Sequence, residues 1–492
     1  MVLCKVKVKA ERKRKVGEPS VAVKERARVD FTTGVPWKKI AMFALPLMLS
    51  SILQQLYNTA SGIIVGRGVS HVGLAAVGLS GPFLRVLTSF FMGVSMGGNV
   101  LIAQHYGAKD QESCRRTVHT ATVIAIMAGV LLSLIGFTMS PLILRWTNAP
   151  DDVYPMALTY MRILFSGLTF QLLYNMMAGF LRGMGESRTQ LFVLAITSVV
   201  NAGLCWIFVI IFKWGIAGAA SATVISQFLS VVLLYTRLQN SDWTRISVKE
   251  LKIHVPSAKA FLKIGLPTGA QQVIMSLTGM IVMGFVNSYG TESIAGYSVG
   301  NTIDMYLMMP VSGINMSMAP FTAQNIGAGN MERVNKGTKQ VICLNLSITA
   351  VLVVAVLSFK GTLLGLFTDN EASIAAGMIM LNIMAPVHLL NSITQPIGDT
   401  IRGAGDTITP MINALMMAVF VRIPVLIILQ RMFDRIEVVY FSHVIAQLYG
   451  LCHMLIVYNR GKWRKKALLR IEALHGDSTT APEMPAESRV KS

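Results

Sequence analysis

Charge is scarce in this chain, and negative charge is scarcest. Of 492 residues only 14% are charged, with 24 Asp and Glu against 44 Lys and Arg. Soluble domains carry about a quarter charged residues, so a water-facing surface over most of the chain is excluded. Cysteine is nearly absent too. Cys4, Cys114, Cys205, Cys343 and Cys452 are odd in number and show no paired spacing, which argues against disulfides and against a zinc site. No metal is expected. No phosphate-binding GxxxxGK[ST] and no HExxH occur, so neither an ATPase motor nor a zinc hydrolase is indicated. No nucleophile elbow is read either: Gly93-Val94-Ser95-Met96-Gly97 is taken as a small-xxx-small spacing for close helix approach. The chain is therefore read as a non-enzyme without cofactors.

What is abundant is apolar sequence, at 53%. Eleven stretches, from Ile40–Gly66 to Val438–Asn459, contain no Asp, Glu, Lys or Arg, and a twelfth, Thr407–Gln430, is broken only by Arg422. A helix crosses a bilayer core of about 30 Å with about 20 residues, so each can span. An all-α polytopic membrane protein of twelve helices is the expected fold class.

The twelve divide in two. Ala103-Gln104-His105-Tyr106-Gly107-Ala108 returns as Ala323-Gln324-Asn325-Ile326-Gly327-Ala328, and Leu181-Arg182-Gly183-Met184-Gly185-Glu186 returns as Ile401-Arg402-Gly403-Ala404-Gly405-Asp406. Both pairs lie 220 positions apart, and Leu45-Pro46 echoes Leu266-Pro267 at 221. An even number of helices per copy makes the two copies parallel, and duplicated membrane domains mark transporters with a site between halves. Both motifs are read as helix-end punctuation, with Gly for the turn and Arg at the carbonyl-rich C-terminus. The expected organisation is a basic, disordered tail (1–36), an N-lobe (37–236), a hydrophilic linker (237–259), a C-lobe (260–460) and a second tail (461–492).

The formal charge of +20 is concentrated in the first tail and in alternate loops. That is the positive-inside pattern, placing both termini in the cytoplasm of a cell inner (plasma) membrane protein. The basic arm is thus matched to anionic lipid headgroups rather than to nucleic acid.

LPLMLSSILQQLYNTASGIIVGR, LIAQHYGA, LRGMGES and WGIAGAASATVISQ, with AQNIGAG and IRGAGDTITP in the second half, resemble the multidrug and toxic compound extrusion (MATE) family over about residues 36–460. The resemblance implies two six-helix lobes around a V-shaped central cleft. It also implies a secondary antiporter that expels amphipathic, often cationic small molecules in exchange for H⁺ or Na⁺ by rocking of the lobes, working as a monomer among membrane lipids. One departure stands out. Relatives usually carry Asp where this chain has Ser61, and often a second where it has Cys205; C-lobe acids that some members place near Met275 and Asn391 are also missing.

The candidate substrate or ion contacts are therefore mostly uncharged. Gln54, Tyr57 and Ser61 fall at helical spacing on one face of the first span. Asn175, Asn201, Cys205 and Thr223 match polar positions of the family's N-lobe pocket, and Gln271 and Asn391 are C-lobe counterparts. A polar stripe in a membrane helix bonds a neighbour or lines water. Asp304 is the one carboxylate expected near the bilayer midplane. It reads either as a protonatable or cation-attracting group or as a structural ion-pair hub. His388 reads as a packing residue, Asp399 as the helical partner of Arg402, and Arg85 as a group that, if it faced the cleft, would favour neutral or anionic cargo. An alternative within the wider superfamily is a flippase for lipid-linked oligosaccharides; a third is a non-transporting scaffold.

Overall fold

The computed structural model describes residues 28–69, 71–147 and 149–475. Twelve spans run in chain order as α1 (Pro36–Gly68), α2 (His71–Gly107), α3 (Gln111–Trp146), α4, α5 (Arg188–Ile211), α6 (Gly215–Gln239), α7 (Val255–Asn287), α8 (Thr291–Gly327), α9 (Met331–Gly365), α10 (Glu371–Gly403), α11 (Ile408–Met432) and α12 (Glu437–Arg460). The fourth is broken: Tyr154–Ser166 and Leu168–Gly183 meet at Gly167 with a 44° bend. Ten of the spans are long and apolar enough to cross a membrane by themselves, and the bent pair makes eleven. The twelfth, α8, has 37 residues and carries Asn301, Asp304, Asn315, Gln324 and Asn325. It packs on α1, α2, α9 and α10, so it meets protein over much of its length and needs less apolar surface. Elsewhere side chains such as Leu131, Leu134, Val199, Val351 and Val354 are more than half exposed, as a lipid-facing surface requires.

The duplication is written into local geometry. Asp110 caps α3 by accepting from Ser113 N–H, and Asn330 caps α9 by accepting from Arg333 N–H, 220 positions on. Gly185 and Gly405, also 220 apart, turn the chain after α4 and α10 at φ +79° and +89°, a region costly for side chains with a Cβ. Both α5 and α11 contain a π-helical segment, Ile207–Ile211 and Met416–Arg422.

The lobes meet along close seams. A Cβ on Gly93 or Gly97 of α2 would strike the backbone of α7 at Gly269 and Phe261; Gly313 of α8, 220 positions after Gly93, lies against Ala44 and Met48 of α1. The small-xxx-small reading of Gly93–Gly97 thus holds. Although the string also spells GxSxG, it lies mid-helix with Ser95 bonded to Met92 O, and no strand-to-helix elbow exists there.

On the face that bears both tails, the two repeated motifs interlock reciprocally. Gln104 Nε2 donates to the Gly403 carbonyl at 3.1 Å, and Gln324 Nε2 donates to the Gly183 carbonyl at 2.7 Å. All four residues are buried, so these bonds form in a dry interface between lobes. The motifs therefore do more than punctuate helix ends.

The tails join this latch, which revises the expected boundaries. Residues 1–27 lie outside the described residues, but Val29 and Phe31, assigned to a disordered tail, are buried with Phe43 and Phe321. Phe31 N–H donates to Gln324 Oε1 at 3.3 Å. Burial of an aromatic side chain offsets the entropy of ordering this segment. The second tail opens with a helix, α13 (Lys462–His475), whose Trp463 is fully buried and whose Arg470 donates to Gln104 Oε1 at 2.9 Å. The linker is likewise pinned, through Ser247 N–H to His119 and His254 N–H to Thr120 of α3. Trp243 of that linker packs edge-on against Tyr106.

Candidate functional site

Between the lobes lies a cavity of about 510 Å³, lined by α1, α2 and α4–α8 together with α10. That volume falls in the range of small-molecule pockets. Six of the ten candidate residues line it: Gln54, Tyr57, Asn175, Asn201, Thr223 and Gln271. Their spacing put them on common helix faces, and the lobe packing turns those faces inward. Asn175 Nδ2 donates to Gln171 O at 2.9 Å, and Gln171 Nε2 donates to Thr88 Oγ1 at 3.0 Å, tying α4 to α2.

The other four are elsewhere. Ser61 sits just behind the wall, donating to Asn201 Oδ1 at 3.4 Å, with the Tyr57 hydroxyl within reach of Ser61 and Thr223. Cys205 is buried in an apolar cluster with Val65, Val209, Ala219 and Ala222, so it packs rather than contacts cargo. Asn391 accepts from Gln447 Nε2 at 3.4 Å and ties α10 to α12. Asp304 lies inside the C-lobe, paired with His388. Its crevice is lined otherwise by apolar side chains, Leu307, Val353, Val356, Leu357, Leu381 and Ala385. His388 thus contacts a carboxylate and is not a mere packing residue.

Sequence reasoning missed the cavity's charged end. Arg182 and Arg402, read as helix punctuation, both line it, as does Asp399. Each Arg precedes a latched glycine, so the latch forms the floor and the guanidinium groups lie just above it. Gln171, Asn175 and Arg182 stand at intervals of four and seven, and Gln395, Asp399 and Arg402 at intervals of four and three, and every one of them lines the cavity. That common face was the available signal. Arg402 pairs with Asp399 within its own helix and donates from Nη2 to Gln271 Oε1 at 3.0 Å. Arg182 donates from Nη1 to Gln190 Oε1 at 2.9 Å and, among the described residues, pairs with no carboxylate. The cavity thus holds no unpaired acid.

Arg85 is exposed and does not line the cavity, so the condition under which it would favour neutral or anionic cargo is not met. Arg162 stacks over the Phe137 ring at 4.9 Å. Of the α8 methionines, Met316 lines the cavity, with Met92 and Met96 of α2; Met318 is fully buried and Met305 is exposed.

The MatE family profile matches residues 46–207 and again 267–428, one match per lobe. The probable multidrug resistance protein YoeA of Bacillus subtilis is 30% identical over 444 residues, covering 88% of this chain and 96% of that protein. The multidrug export protein MepA of Staphylococcus aureus is 24% identical over 428 residues, 86% of this chain and 93% of that one. Among solved structures, that of MATE in complex with MaL6 superposes at a TM-score of 0.80 with 22% identity, covering 91% of this chain and 99% of that chain. The outward-facing conformation of a multidrug resistance MATE family transporter of the MOP superfamily gives 0.80 at 21%, over 91% and 98%. The architecture they share with this chain is the twelve-helix, two-lobe fold.

Proposed function

The chain belongs to the MatE family of multi-pass membrane multidrug transporters, and from that premise we propose that it is a secondary active antiporter. It expels amphipathic small molecules, cations among them, in exchange for H⁺ or Na⁺ by alternating access. It does so as a monomer in the cell's plasma membrane, with both tails in the cytoplasm. The observation that carries this reading is a cavity between two duplicated lobes whose floor is a reciprocal, bond-for-bond latch. Two equivalent contacts, each made by one lobe on the other, give a gate that closes one face and is undone by rotation of the lobes.

The cavity wall is built of amide and hydroxyl side chains with Tyr57 and Tyr174, which suits cargo of varied shape held by dipoles and aromatic faces. With Asp399 committed to Arg402, attraction of cations rests on those groups rather than on a fixed negative charge. The flippase reading has no specific support, because Arg85 lies away from the cavity. The test is ethidium efflux from vesicles containing the purified protein under imposed pH or Na⁺ gradients. Efflux that follows one gradient and stops when it collapses is the expected result; ethidium movement indifferent to both removes the antiport reading.

A further inference from the structure

Among the polar side chains enclosed in the C-lobe away from the cargo cavity, Asp304 of α8 and His388 of α10 are in contact with each other. The geometry points to this pair as a proton-binding site, and we propose that it is where the transporter takes up its counter-ion, as a proton rather than as Na⁺. The proposal rests on the antiport reading above and names its ion and its site.

Partner identity is the first ground. The other ion-paired acids among the described residues each meet an Arg or Lys: Glu112, Glu186 and Glu250 meet arginines, Asp399 meets Arg402 and Asp406 meets Lys466. Those cations keep their charge throughout the physiological range. Glu250 also lies 3.8 Å from His119 but has Arg115 besides. Asp304, among the described residues, is matched to a histidine and to no Arg or Lys. Histidine is the side chain whose ordinary charge change falls near neutral pH. The side chains of His388 and Asp304 are 7% and 17% exposed, so a change of protonation there is felt in a poorly screened setting.

The surroundings decide between ions. The crevice at the pair has about 10 Å³ of free volume, room for one water at most. It offers one carboxylate and aliphatic walls, whereas hard metal cations gather several oxygen ligands. A proton needs only the pair. The titratable and charged groups facing it are Tyr297 on α8 itself, Arg422 on α11 and His443 on α12. Helix α9 contributes Val353, Val356 and Leu357, and α1 and α2 meet α8 further along, at Gly313 and Gln324. Arg422 supplies a permanent positive charge behind the pair. The proton binds at the pair: an N–H bond at His388 Nε2 forms as it enters and breaks as it leaves.

Leverage is the second ground. Beyond Asp304, α8 passes Pro310 and Pro320 and ends in Gln324, which grips Gly183. Beyond His388, α10 passes Pro396 and ends in Gly403, which is gripped by Gln104. The pair thus cross-links the two helices that carry both C-lobe halves of the latch. Loss of the imidazolium charge removes the attraction between them at mid-membrane, and proline breaks in both backbones let that change reach the gate.

Asp304→Asn and His388→Gln test this in reconstituted vesicles, with ethidium as cargo and Arg85→Ala as a control away from both sites. Asp304→Asn is expected to lose efflux driven by a pH gradient while still binding ethidium, since the cargo cavity is separate. His388→Gln is expected to flatten the rate profile across about pH 5–8, where histidine titrates. Purified wild type should release a proton on binding ethidium, and Asp304→Asn should not. Either variant keeping the wild-type pH profile overturns the proposal, as does wild-type efflux that follows Na⁺ alone. Parallel loss of ethidium binding, thermal stability and transport in both variants also overturns it, by making the pair structural. Wild-type efflux indifferent to both gradients instead sinks the antiport reading beneath it.

Discussion

The two lobes share a fold and divide the chemistry. In the N-lobe the polar groups open to the cavity, apart from Arg182, are uncharged, as with Gln54, Tyr57, Asn175 and Asn201. In the C-lobe Asp399 and Arg402 line the cavity as a pair, and further ionisable groups are enclosed: Asp304 and His388, with Arg422 and His443 behind. At the repeat spacing of 220, Asp304 answers to Leu84 and His388 to Leu168, so the N-lobe has aliphatic carbon where the C-lobe has its ion pair. Asp399, which neutralises Arg402, answers to Gly179, and Arg182 is left without a carboxylate. Duplication preserved what closes the gate and let the rest specialise. An account in which both lobes bind the same ion finds no support in these side chains.

The largest expected contrast tests the ends of the repeated motifs. Glu186 is 1% exposed and lies between Arg28 and Arg237, at 3.5 and 2.7 Å. Its counterpart Asp406 meets Lys466, whose side chain is 57% exposed. Glu186→Gln leaves two guanidinium groups facing a neutral amide in a closed site, at a cost of about 3–5 kcal/mol. Asp406 is itself 4% exposed, but Lys466 turns back to water when the carboxylate is lost, so Asp406→Asn costs less, about 1 kcal/mol. Thermal unfolding of the two variants in detergent should separate them clearly. Equal shifts would mean that burial of the partner does not set the cost.

The next contrast predicts equality. Gln104→Ala and Gln324→Ala each strip a buried glycine carbonyl of its donor and release one tail segment, Arg470 or Phe31. An unsatisfied buried acceptor costs about 1–3 kcal/mol, here charged only to the latched state. Spin labels at Arg188 and Ile408, on the latch-side starts of α5 and α11, should report a new, longer distance population in both variants to a similar degree. A shift in one variant alone would show that the reciprocal bonds are not equivalent and that one lobe holds the gate.

How much of this was legible in the sequence depends on range. Span positions, the duplication and the polar face of α1 follow from hydropathy and helical spacing, because a bilayer imposes them locally. Gln54, Tyr57, Asn175, Asn201 and Thr223 reached the cavity because helix periodicity alone decides which way they point. Cys205 and Asn391 did not, because lobe packing turned those positions onto neighbouring helices. The latch was invisible for a related reason: Gln104 and Gly403 are 299 positions apart, and no local pattern ties them. The role of Arg182 was hidden by its motif. A sequence of helix-ending type explains an Arg at a C-terminus, and that sufficient explanation concealed the face it shares with Gln171 and Asn175.

The smallest effect bears on cargo charge. Arg182→Gln removes the one cavity guanidinium that has no carboxylate partner among the described residues, so a cation should bind more tightly by about 1 kcal/mol, about fivefold. Because no acid is involved, that gain should be the same at every pH at which the protein is folded. Arg402→Gln differs in kind. It frees Asp399 to face the cavity, and the freed carboxylate attracts a cation only when ionised. Its gain in ethidium affinity should therefore grow as pH rises and vanish as pH falls, and Asp399→Asn added to Arg402→Gln should abolish the pH dependence. Ethidium titrations of the three variants across pH distinguish the lobes by the acid that one has and the other lacks. If Arg182→Gln and Arg402→Gln gave identical pH curves, Asp399 would have no bearing on cargo, and the charged end of the cavity would be symmetric after all.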